Sequence, residues 1–187
     1  MATSTRFNGN PRGNFWRPLI WGGACLLLLI PAVSMQLGER NPGFNWGLGD
    51  FIAAGVMLFG ACGAFELAAR TSRRPAYLLG AAVGIGTGLF LLWSNLAVGV
   101  LGDEGNRANL MFAAVLAIAS IGALVARFRP AGMTMAMLAA ASAQTVAAIA
   151  AFFLGFGWDT WVAAMFVPGW ALSAALFGYA ARQDAGN

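Results

Sequence analysis

Six runs of mostly apolar residues, each close to or beyond the roughly 20 that a helix needs to cross a bilayer, leave this chain one class of fold. They cover residues 18–37, 48–69, 77–101, 110–128, 132–154 and 160–181. Each is continuous and far longer than the roughly ten alternating residues of a barrel strand, so the runs predict helices, whose backbone groups are satisfied within the segment. What remains of the 187 residues is an arm, 1–17, a tail, 182–187, and short connections punctuated by Asn41-Pro42-Gly43, Arg74-Pro75, Gly102, Gly105, Arg129-Pro130 and Gly155-Phe156-Gly157. The reading is an all-α, polytopic six-transmembrane-helix bundle over residues 18–181, with no stretch left for a soluble domain. Composition agrees: 10% charged against 59% apolar residues cannot coat a water-soluble globule, in which about a quarter of residues are charged. The first run contains Pro31 and lacks a small-x-small cleavage pattern, so it reads as a retained span.

Arginine placement sets the expected orientation, because cytoplasmic loops carry the basic excess. Arg6, Arg12, Arg17, Arg70, Arg73, Arg74, Arg127, Arg129 and Arg182 fall on one side of a six-span chain. Arg40 and Arg107 fall on the other, beside Glu39, Asp50, Asp103, Glu104 and Asp159. Both termini are therefore expected in the cytoplasm, and the opposite face is net acidic. The isoelectric point near 10.0 follows from this topology, and no nucleic-acid partner is expected.

The residue inventory narrows the chemistry. There is no His and no Lys, which removes imidazole bases, histidine metal or haem ligation, and Schiff-base attachment. Cys25 and Cys62 are too few and too far apart for a CxxC pair, and read as two small buried apolar residues in consecutive spans. The GxSxG, HExxH and Walker patterns are absent from the sequence, as are the paired aspartates of CDP-alcohol transferases. No catalytic residue is assigned and the chain reads as a non-enzyme.

Spans associate in lipid through close approach at small residues and through buried polar contacts. In the third run Gly80, Gly84, Gly88 and Gly99 lie within about 60° of Asn95 on a helical wheel, a smooth seam with one amide set into it. The fifth run offers Met137, Ala140, Ala141, Ala147, Ala148 and Ala151 around Gln144. From the acidic-side ends, Asn95 is about 10 Å deep and Gln144 about 15 Å deep. The expectation is that the two seams pack together and the amides meet, directly or through water. The alternative is that each amide bonds a backbone carbonyl of a neighbouring helix. Glu66 and Arg70 have i,i+4 ion-pair spacing.

The acidic side gathers the remaining polar groups. Glu39, Asp50, Asp103, Glu104, Asn106 and Asn109 lie on Gly-rich connections and are the hard oxygen donors that a cation such as calcium takes. No stretch has EF-hand spacing, so no metal site is assigned and no cofactor is predicted. The same residues suit structural work: Asp50 and Asn109 as helix caps, with Trp46, Trp158 and Trp161 as an interfacial belt.

The stretch from Asn95 to Met111, preceded by Met35-Gln36 and by Asn45-Trp46-Gly47-Leu48-Gly49-Asp50-Phe51, resembles a family of small bacterial inner-membrane proteins. The likeness covers the first four spans best and implies a multi-pass protein of the bacterial inner membrane. It brings no activity, cofactor or catalytic residue with it. The functional expectation is a non-catalytic protein acting through helix–helix contacts, as an accessory or assembly subunit or a small homo-oligomer. Its partners would be the bilayer and other membrane chains or itself. The rival is a small cation channel or transporter with an acidic periplasmic vestibule.

Overall fold

The computed structural model describes residues 16–37 and 46–186, and every regular element among them is helical. The helices are α1 (Trp16–Gln36), α2 (Leu48–Thr71), α3 (Pro75–Ala97), α4 (Leu110–Val125), α5 (Pro130–Phe153), α6 (Asp159–Ala164) and α7 (Val167–Ala185), with a 3-10 turn at Arg107–Asn109. With α6 and α7 taken as one span, six helices are long and apolar enough to cross a membrane. Most of the N-terminal arm and the centre of the first connection, Glu39 included, lie outside the described residues.

Two compact units divide the chain at Cys62 and Gly63, inside α2. The first holds α1 and most of α2. Trp21 stacks on Phe59 with ring centroids 5.9 Å apart, and the Cys62 thiol donates to the Ile20 carbonyl at 3.7 Å. Cys62 is buried, whereas Cys25 is exposed, so only one of the two is the buried apolar residue expected of both. At the start of α2, the Gly47 N–H donates to Asp50 Oδ2 at 2.8 Å, the returning half of a capping box.

In the second unit, α7 packs between α3 and α5, α4 packs on α5, and α3 makes a smaller contact with α4. Tyr77, Leu91, Phe112, Phe177 and the alanine face of α5 fill the middle. Helices α3 and α5 start alike, each with proline in the first turn after an arginine in extended conformation, Arg74 or Arg129. A residue before proline is pushed out of the helical region, and a proline at the first position forfeits no helical hydrogen bond. Between α4 and α5, Arg127 and Phe128 both adopt left-handed backbone, φ 48° and 58°. Non-glycine residues pay about 1–2 kcal/mol each for this conformation. The turn is held by the Phe128 N–H on the Ala123 carbonyl at 3.2 Å and by the Tyr77 hydroxyl, which donates to the Phe128 carbonyl at 2.6 Å.

Two expectations about the spans are corrected. Helix α3 stops at Ala97 rather than at residue 101, so Gly99 is no part of its packing face. Gly99 is instead a left-handed turn residue, φ 74°, whose missing side chain admits the backbone of Asp103. The sixth run divides into α6 and α7, because Pro168 has no N–H for the Ala164 carbonyl four residues earlier.

Candidate functional site

The polar residues at the acidic-side end are organised by Asn109. It sits at the start of α4 but caps nothing there, since its side chain turns back into the preceding loop. Its Oδ1 accepts from the N–H groups of Val100 and Leu101 at 3.1 and 2.9 Å. Its Nδ2 donates to the carbonyls of Leu101 and Asp103 at 3.3 and 2.7 Å. One buried amide thus satisfies four backbone groups of a loop that turns through left-handed Gly99 and Gly102. The expected cap of the fourth span is in fact a loop staple. The capping role passes to Asn106, whose Oδ1 accepts from the Ala108 N–H at 3.0 Å and opens the 3-10 turn.

The third acidic-side connection joins this loop through Asp159, whose Oδ2 accepts from the Gly102 N–H at 2.8 Å. Asp103 and Glu104 stand exposed on the loop. Asp50 belongs to the other compact unit and is engaged with Gly47, and Glu39 lies outside the described residues. Among the described residues no group of three or more His, Cys, Asp or Glu is placed to hold a metal ion.

Deeper in the second unit the two amides do not bond one another. Gln144, fully buried, donates through Nε2 to the Ala163 carbonyl at 2.8 Å. No hydrogen bond joins it to Asn95, so for Gln144 the backbone-carbonyl alternative is the observed one. The seams are also partnered differently from the expectation. The glycine face of α3 packs on α7: a Cβ on Gly80 would meet Phe177 at 3.3 Å, one on Gly84 would meet Ser173 Oγ at 2.7 Å, and one on Gly88 would meet the Trp170 ring at 3.2 Å. Met137 Sδ, 3.2 Å from the position of a Gly84 Cβ, is the contribution of α5 to that seam. The predicted alanine face of α5 is buried throughout, against α7, α4 and α6.

Sequence reasoning passed over Ser173, whose hydroxyl donates to the Gly80 carbonyl at 2.7 Å and locks α7 to α3. A lone hydroxyl in an apolar span was the signal for it. Tyr77 was missed too, because its partner is a carbonyl 51 residues away. At the arginine-side ends, Arg70 pairs with Glu66 at 2.5 Å and Arg74 with Asp184 at 2.6 Å. No family model, curated protein or solved structure matches the chain.

Proposed function

We propose that this chain is a non-catalytic multi-pass protein of the bacterial inner membrane that acts through helix–helix contacts, as an accessory subunit or a small homo-oligomer, with both termini in the cytoplasm. The carrying observation is the unequal completion of its spans. In α5, 44% of the most apolar window is buried, against 11% in α1 and 17% in α2. The glycines follow the same division. Those at positions 80, 84 and 88 of α3 are each filled by a neighbouring side chain, whereas Gly49, Gly60 and Gly63 of α2 have no atom among the described residues within 4 Å of a Cβ position. These three share with Ala53 and Ala64 a strip about 100° wide that also carries Val56 and Leu67, all of it exposed. Small residues on an exposed face are where membrane helices approach one another closely.

The non-catalytic reading draws on how the polar groups are engaged. Asp50, Asp159, Asn106 and Asn109 each bond backbone groups and hold turns, rather than one another. Native mass spectrometry of the whole chain released from a mild detergent tests the proposal. The expected result is a fixed stoichiometry, of this chain with itself or with another membrane chain. A lone monomer under every mild condition would contradict it.

A further inference from the structure

Four buried polar atoms have no hydrogen-bond partner among the described residues: Asn95 Oδ1, Gln144 Oε1, Thr160 Oγ1 and Trp170 Nε1. All four lie in the acidic-side half of the second unit. Thr160 opens α6, and Gln144 reaches Ala163 on the same helix. Trp170 lies against Gly88, and Asn95, on nearly the same face of α3 as Gly88, is seven residues and about 10 Å nearer the loops. That rise brings Asn95 level with the end of α6, where Pro168 interrupts the helical ladder. The arginine-side half is different. There the Ser173 hydroxyl bonds the Gly80 carbonyl, the Tyr77 hydroxyl bonds Phe128, and Thr134 Oγ1 bonds the Pro130 carbonyl at 3.0 Å.

Each buried polar group left unpaired forfeits the hydrogen bonds it made in water, and a lipid-enclosed interior has no bulk water to restore them. Four such groups confined to one half of the interior point to a shared occupant. All four are neutral. Three are oxygen atoms able to accept and one is a donor, so the occupant must both donate and accept. Among the described residues the one carboxylate near them, Asp159, stands at the mouth and is engaged with the Gly102 N–H, which disfavours an ion held deeper, whose burial without a counter-charge is far more costly than that of a neutral molecule.

We propose that the acidic-side half of the second unit is a hydrated blind pocket, in which water and neutral hydrogen-bonding solutes of its size bind from the Gly102–Asp159 loop contact down to Trp170. Below Trp170, Ser173 and Met137 close on Gly84, and the edge-to-face pair of Tyr77 and Phe177 seals the floor. The pocket rests on the packing of this unit alone, so a monomeric protein would leave it standing.

Pulsed X-ray hydroxyl-radical footprinting of the full chain in lipid nanodiscs tests this, because radicals made from bound water label the side chains beside it. Trp170, Tyr77 and Phe177 are shielded alike, with 2%, 0% and 0% of their surface exposed. After correction for intrinsic reactivity, Trp170 is expected to be labelled several-fold faster than the other two. Labelling of Trp170 at or below their rate overturns the proposal. In Gln144→Met the Trp170 rate is expected to fall while that of Tyr77 stays unchanged, and an unaltered Trp170 rate in the folded variant also counts against the pocket. If that variant does not fold, the wild-type comparison decides by itself.

Discussion

Helices α2 and α3 are both glycine-rich, yet they use their glycines in opposite ways. In α3 the absent side chains let Phe177, Ser173 and Trp170 of α7 come close, so the seam is complete within one chain. In α2 a Cβ added at 49, 60 or 63 would meet nothing among the described residues, although the three lie on one face of the helix. Glycine inside a helix costs about 1 kcal/mol relative to alanine. In α3 that cost is offset by packing on view; in α2 no such packing is present among the described residues. A glycine seam therefore marks a place of close approach without saying whose helix approaches.

The largest expected effect comes from filling the completed seam. Gly84→Leu forces bulk against Ser173 Oγ and Met137 Sδ and is expected to destabilise the second unit by roughly 3 kcal/mol or more, read as a lowered thermal midpoint in detergent. Next, Asn109→Ala strips the acceptor from two buried N–H groups and is expected to cost about 2–3 kcal/mol. Hydrogen exchange should rise first at Val100 and Leu101, and a loss spread evenly over both units would blur the contrast between them. Tyr77→Phe removes the bond to Phe128 and is expected to cost about 1 kcal/mol, with faster exchange at the Arg127–Phe128 turn. The smallest effect is expected from Asp184→Asn, under about 0.5 kcal/mol, because the half-exposed ion pair with Arg74 is screened by solvent.

The sequence made the helices legible because a bilayer leaves a long apolar run few other options. Ends set by proline were legible too, since Pro75 and Pro130 act through their own ring on the preceding residue. Long-range pairing was harder to read. The face of α3 around Gly84 can be drawn on a wheel, but whether α5 or α7 fills it depends on the order of helices around the bundle. The turn at Gly99 was hidden because Val98, Val100 and Leu101 prolong the apolar run past the end of α3. Asn109 was placed at a helix start, where asparagine usually caps. Its actual partners lie six to nine residues back, in a loop that turns through left-handed glycines. The break at Phe166 follows from Pro168, a signal that the length and hydropathy of the sixth run outweighed.

The most direct test of the account is the assembly state of Gly60→Leu, with Gly84→Leu measured beside it. Gly60→Leu is expected to keep the helix content unchanged and the stability of the monomer within about 0.5 kcal/mol while dissociating the proposed assembly in native mass spectrometry. Gly84→Leu is expected to lower the stability of the monomer itself. If Gly60→Leu instead destabilises the monomer as Gly84→Leu does, or leaves the assembly intact, then the glycine-bearing face of α2 is not where another chain binds.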